Sequence, residues 1–316
     1  MSGPDRGAAA AGFRALSHGK LIVLLALTTA ALGVTGALPL QPALRAAVGG
    51  TLAGDHFLRN HPTFAPTDFF DLLREQAPAF RGARRSAAGI GLLGIFLQIF
   101  FAGGIVGVLG RGPFSFGQFF EPARRSFWHN VKCFFLFAIF AGVALGIWLG
   151  ALGALIGKGM PSVPPDAAIR TVLLWVEIAG ALLLFGALAL LYDFARAARR
   201  YASAIGAWRA YRFARRALSG SWAAALGLFL LWLLLGGIAG AALFGAVWSM
   251  KAVSRPAIAL LFALQIAVFL VRSAARVAAW GSYIAFLGPR ALPALASLAR
   301  VRYRVADPAP APFVAP

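Results

Sequence analysis

The chain has 316 residues, 60% hydrophobic and 13% charged, and its 30 Lys and Arg against 10 Asp and Glu give a formal charge of +20. Soluble proteins run at roughly 45–50% apolar and 25% charged, so a water-soluble core is excluded as the explanation. The basic residues gather mainly between apolar runs, where the positive-inside bias and anionic lipid headgroups account for them without nucleic acid.

Six apolar runs predict an all-α, polytopic transmembrane helical bundle with amphipathic interfacial helices. The spans are Leu21–Leu40, Ala87–Gly110, Cys133–Gly157, Ala167–Leu191, Trp222–Trp248 and Pro256–Leu287. Each is long enough at 1.5 Å per residue to cross a hydrocarbon core of roughly 30 Å. Residues 1–20 form an N-terminal tail, 21–287 the six-span domain, and 288–316 a C-terminal tail whose Pro/Ala-rich end is expected to be disordered. The first run follows Arg14 and Lys20 as a signal sequence would, but it is too long for a cleavable apolar region and no Ala-x-Ala closes it, so an uncleaved first helix is expected.

Between the first two spans, segment 41–86 holds Asp55, His56, His61, Asp68, Asp71 and Glu75. Pro66-Thr67-Asp68 predicts a capped, short amphipathic helix ending near Pro78. The His and Asp spacing matches no metal-ligand signature, and no metal or cofactor is expected. In segment 111–132, Ser115-x-x-Gln118 is a capping-box pattern before Phe119, and Pro122 suits a first helical turn. His18 and His129 fall at span boundaries, where interfacial packing is the default, and Cys133, the only cysteine, reads as a core thiol.

Segment 192–220 carries seven arginines, whereas links 158–166 and 249–255 carry one and two basic residues. This asymmetry places the arginine segment and both termini in the cytoplasm of a bacterial inner membrane. Arg81, Arg84 and Arg85, on the side assigned as external, run against that topology. Phe194, Ala197, Tyr201, Ala204 and Trp208 recur at helical spacing, predicting that the helix continues past the fourth span. Arg196, Arg199 and Arg200 then join Arg272 and Arg276 on a cytoplasmic basic face, while the arginines after Arg209 scatter around the circumference.

Within the spans, Gly142, Gly146 and Gly150 form a stripe, and Gly103/Gly107 and Gly236/Gly240 repeat the spacing. Small residues on one face let helices approach closely in lipid, so all are expected at helix contacts. Gln98, Glu177 and Gln265 lie roughly 13–17 Å down spans two, four and six, near the bilayer centre, and Thr28 and Thr29 reach a similar depth from the other side. These five predict a midplane polar cluster, acting either as a proton-linked or solute-binding site or as hydrogen-bonded glue between helices.

Gly103-Gly104-Ile105-Val106-Gly107, the stretch from Phe119 to Trp128, and Tyr192-Asp193-Phe194-Ala195-Arg196 resemble uncharacterised bacterial six-helix membrane proteins, including the membrane domain attached to some glycerophosphodiester phosphodiesterases. The resemblance implies six helices and no established chemistry. Asp193 and Arg196 read independently as an i,i+3 pair at the membrane boundary. Gly-x-Ser-x-Gly, His-Glu-x-x-His and paired catalytic carboxylates are lacking in the sequence. The expected role is a non-enzymatic scaffold or accessory protein, with a protein partner or a second copy as further company; the alternative is a small-solute or lipid transporter using the midplane cluster.

Overall fold

A computed structural model describes residues 3–39, 77–109, 114–159, 167–202, 205–249 and 255–296. Among these residues the chain is all-α: α1 (Gly3–Ala15), α2 (Gly19–Ala37), α3 (Ala77–Val108), α4 (Phe116–Gly159), α5 (Ala167–Ala197), a 3-10 turn (Ala198–Arg200), α6 (Ala207–Leu218), α7 (Trp222–Ser249) and α8 (Arg255–Ala296). Six helices are long and apolar enough to cross a membrane, so this is a multi-pass membrane protein. The acidic and histidine residues of segment 41–76 and the tail beyond Ala296 lie outside the described residues.

Several helices outrun the predicted spans. α4 starts seventeen residues before Cys133, because the segment read as a cytoplasmic link is helical from Phe116 onward. Ser115 sets that start: its Oγ accepts the Gln118 N–H at 3.3 Å, the serine half of a capping box. Pro122 is therefore in the second turn of α4, not the first. α3 likewise begins ten residues before Ala87, with Pro78 in its first turn, where a missing N–H breaks no helical bond. Within residues 1–20, read as a tail, Gly3–Ala15 form α1, whose Ala8, Gly12 and Ala15 are buried.

Two compact units divide the chain, with α3, α7 and α8 contributing residues to both. The first comprises Met1–Ser17, Ile99–Trp232 and Ala278–Pro316. Here α4 packs along α5, and α6 sits against both. α1 meets the C-terminal part of α8 at a crossing of small residues: a Cβ on Gly12 would collide with Ser282 Oγ, and one on Gly281 would lie 2.6 Å from Ala15 Cβ. Phe13 packs on Trp232 with centroids 4.9 Å apart, and the Trp232 indole donates to Ser282 Oγ at 2.8 Å.

The same unit contains the tightest turn of helix on helix. Gly103, Gly104 and Gly107 of α3 receive the start of α4: a Cβ on Gly104 would sit 2.6 and 2.8 Å from two Phe119 ring carbons, and one on Gly107 would be 2.5 Å from the Pro122 ring. Glycine is needed because the neighbouring helix occupies the space a side chain would take. Two segments carrying the family resemblance, the Gly103–Gly107 run and the Phe119–Trp128 stretch, thus pack on one another.

Unit two comprises His18–Gln98 and Leu233–Val277. A Cβ on Gly33 would touch Phe269 at 3.5 Å and one on Gly36 would touch Ile90 at 3.6 Å, so α2 packs against α8 and α3 there. Gly236 faces Ala275, where a Cβ would come within 2.8 Å.

The glycine expectation needs correcting at four positions. A Cβ on Gly142, Gly146, Gly150 or Gly240 would meet nothing among the described residues. The Gly142 stripe lies on the exposed side of α4, with Val143 and Ile147. At the level of that stripe the α4–α5 contact is made instead by Trp148, whose ring fills the space over Gly180 and whose Nε1 donates to the Glu177 carbonyl at 3.2 Å. Spacing alone marks where a close approach is possible. The bulky indole decided where one occurs.

Candidate functional site

The polar groups of unit one converge around the last turns of α5. Its sequence there, Tyr192-Asp193-Phe194-Ala195-Arg196, places residues 192, 193 and 196 on adjacent positions of one helical face. Arg196 pairs with Asp193, as the i,i+3 spacing predicts, and their side chains are only 8% and 21% exposed. Aromatic faces complete the enclosure: the Arg196 guanidinium carbon lies 4.0 Å from the Tyr192 ring centroid and 5.0 Å from that of Trp280. A planar, weakly hydrated guanidinium stacks flat on such faces and loses less hydration there than an ammonium would. Among the described residues Arg196 Nε meets no hydrogen-bond acceptor.

Around this pair the walls are themselves locked. Tyr192 stacks on Phe137 of α4 at 5.0 Å, and Phe194 packs on Tyr283 and Phe286 of α8 at 5.3 and 5.8 Å. His129, Asn130 and Cys133 of α4 are buried on the same unit, with His129 Nε2 and Cys133 Sγ 3.5 Å apart. Tyr211 of α6 donates its hydroxyl to the Cys133 carbonyl at 2.9 Å, and burial, reinforced by Cys133, Tyr192 and Asp193, holds that phenol well above its ordinary pKa.

A second pattern emerges from the polar side chains that reach between segments: most end on backbone carbonyls, while the Trp232 indole and Arg290 Nε end on the hydroxyls of Ser282 and Ser221. Asn130 Nδ2 donates to Ile99 O at 3.2 Å, and Arg199 to Arg125 O at 2.8 Å. Arg200 donates to Val106 O at 2.9 Å and Leu109 O at 2.5 Å, capping the C-terminal end of α3. Tyr201 donates to Ile284 O at 2.8 Å, and its burial raises the phenol pKa to about 12. Within α8 itself, Arg290 donates to Phe286 O at 2.9 Å while lying over the Phe286 ring at 3.8 Å.

The expected cytoplasmic basic face of Arg196, Arg199, Arg200, Arg272 and Arg276 is therefore not a face. Arg196 is enclosed, Arg199 bonds a carbonyl of α4, Arg200 bonds the C-terminal end of α3, and Arg276 donates to Gln98 O at 3.3 Å within unit two. Arg272 alone of the five is exposed. Continuous helical phase was the wrong assumption: α5 stops at Ala197, and the 3-10 turn rotates the following side chains.

The scattered arginines also need correcting. At about 100° per residue, Arg209, Arg212, Arg215 and Arg216 fall within an arc of about 120° of α6, wherever the count begins. The opposite arc carries Ala210, Tyr211, Phe213, Ala214, Ala217 and Leu218, all buried. Gly220, with φ +75°, ends α6 in the left-handed conformation that turns the chain into α7.

Of the midplane residues, Glu177 belongs to unit one and Gln98, Gln265, Thr28 and Thr29 to unit two, and each is placed within its own unit. Glu177 is half-buried, on the side of α5 where Trp148 covers Gly180. Thr28 and Thr29 donate to Leu24 O and Leu25 O of their own helix at 2.8 and 2.7 Å. Gln98 is half-buried, whereas Gln265 is exposed beside Phe262 and Ile266. Leu264, Val268 and Ala275 take the inward arc of α8, which leaves Gln265 outside it. Among the described residues no group of three or more His, Cys, Asp or Glu is arranged to hold a metal ion. No family model, curated protein or solved structure matches the chain.

Proposed function

We propose that this chain is a non-enzymatic membrane scaffold or accessory protein, inserted with both termini and α6 on the cytoplasmic side of a bacterial inner membrane. The observation that carries the reading is the destination of its interhelical polar side chains. Asn130, Arg199, Arg200, Tyr201 and Tyr211 each bond a backbone carbonyl of another segment, and Arg196 is held by Asp193 between two rings. Groups engaged this way fix helices to one another, and a bundle so cross-tied suits a rigid platform better than an alternating-access machine. The likeness to membrane domains attached to some phosphodiesterases belongs to the same proposal, supplying a membrane module without its chemistry.

The transport alternative rests on Glu177, an acidic residue half-buried in an apolar helix. Proteoliposomes containing the purified chain separate the two readings. A scaffold leaves proton leak, followed with an internal pH dye, and lipid scrambling, followed by dithionite reduction of a fluorescent lipid, at the rates of empty liposomes. Protein-dependent flux abolished by Glu177→Gln, or protein-dependent scrambling, would establish transport instead.

A further inference from the structure

We infer that the outward face of α6 is a binding strip for the phosphate-bearing headgroups of anionic lipids, with Arg209, Arg212 and Arg215 as its exposed contacts. This goes beyond the scaffold reading and holds equally for a transporter. Three independent features of the structure identify the occupant as the membrane itself.

The charge is segregated and uniform. All four arginines of the helix share one arc, the helix contains no acidic residue, and its other arc is fully used in packing against α4 and α5. Arg209 to Arg216 spans about 10 Å of helix, a basic row short enough to face a few headgroups. Chain connectivity then holds that row at one face of the membrane, because α6 links two helices long and apolar enough to span it, α5 and α7.

Depth is fixed by what α6 touches on α4. Trp208 lies 6.0 Å and Tyr211 5.6 Å from Phe140, ring centroid to ring centroid. Tyr211 also bonds the Cys133 carbonyl, and it is at Cys133 that the exposed charges of α4 (Arg124, Arg125, Lys132) give way to Phe135, Ile139, Val143 and Ile147, although Phe120 and Trp128 are exposed before that point too. A helix at that transition lies at the edge of the hydrocarbon, where headgroups are. Trp208 itself is 57% exposed beside the arginines, and an amphipathic indole at this level is what a membrane interface accommodates. A basic helix directed at an acidic protein would need neither the exposed tryptophan nor this depth.

The test uses the full-length chain in phosphatidylcholine vesicles carrying trace spin-labelled phosphatidylglycerol or spin-labelled phosphatidylcholine, with the protein-restricted fraction read by electron paramagnetic resonance. Wild type should prefer the anionic label, and the preference should fall as salt rises, since exposed charges are screened within a few ångströms at 1 M. The triple variant Arg209→Gln/Arg212→Gln/Arg215→Gln should lower the preference about fivefold or more, whereas the triple lysine variant retains most of it, because the attraction is of charge to charge. The substituted side chains are exposed, so all three proteins should melt alike; should the glutamine variant misfold, the lysine variant and the wild-type salt series still decide. Undiminished preference in a folded glutamine variant, or a wild-type preference indifferent to salt, overturns the proposal and points to an acidic protein partner. Inorganic phosphate that displaces the labelled lipid better than chloride at equal ionic strength would also overturn it, by making this a site for free phosphate.

Discussion

Replacing Asp193 by Asn should be among the most damaging single changes in this chain. Arg196 would keep its place between Tyr192 and Trp280, but it would lose its counter-charge while only 8% exposed. Two ring faces at about 0.5–2 kcal/mol each do not replace a carboxylate, and stripping one partner from a buried pair costs about 3–5 kcal/mol. Asp193 is 21% exposed, which places the expectation near the lower end, at about 3 kcal/mol. Arg196→Met removes the buried cation and leaves Asp193 able to recover some hydration, so it should cost about 2 kcal/mol, mainly the lost ring contacts. The double variant should cost no more than Arg196→Met alone, giving a coupling of about 3 kcal/mol. Equilibrium unfolding in mixed micelles, titrated with dodecyl sulfate and followed by far-ultraviolet circular dichroism, measures all four corners of the cycle. Additivity within about 0.5 kcal/mol would refute the reasoning, since the two side chains would then not stabilise each other.

Gly104→Ala should destabilise the same unfolding transition by about 1–3 kcal/mol, because the new methyl meets the buried Phe119 ring; Gly146→Ala, with open space around it, should be neutral or slightly stabilising. Equal effects of the two would mean that the α3–α4 contact is not as drawn. Tyr201 has a phenol pKa raised to about 12, so its contribution is complete below the ordinary tyrosine value of about 10 and is lost as pH rises through about 12. Alkaline melting curves should show Tyr201→Phe less stable than wild type by about 1 kcal/mol at neutral pH, from the lost bond to Ile284 O, with the gap closing above pH 10; a gap constant with pH would sink the assignment. For topology, cysteine at Ser219 should resist an impermeant thiol reagent in intact cells while cysteine at Ser162 reacts, with buried Cys133 silent in both; reversed labelling would invert the proposed orientation.

Hydrophobic run length made the six crossing helices readable, because a lipid core demands unbroken apolar stretches whatever the tertiary fold. The Asp193–Arg196 pair was equally legible, since i,i+3 geometry is local. The Gly142 stripe misled because close approach also requires a partner helix on that side, which periodicity in one segment cannot supply. The arginine arc of α6 was legible in the spacing alone, since Arg209, Arg212, Arg215 and Arg216 fall within about 120° wherever the count begins; only its opposition to a buried arc needed the structure. The partners of Arg196 were not legible at all. Trp280 lies 84 positions away, and only the packing of α5 on α8 brings its ring over the guanidinium.

The cap that Arg200 places on α3 bears on how the chain is made. Its acceptors, Val106 O and Leu109 O, precede it by 94 and 91 residues. At roughly 5–20 residues per second of synthesis, the glycine-packed hairpin of α3 and α4 emerges several seconds or more before the side chain that closes its end. Throughout that interval the helix end must borrow water, lipid headgroups or an insertion factor for its carbonyls. Arrival of the fifth helix therefore completes an earlier one, and a chain interrupted before residue 200 would present the quality-control machinery with an inserted but unfinished hairpin.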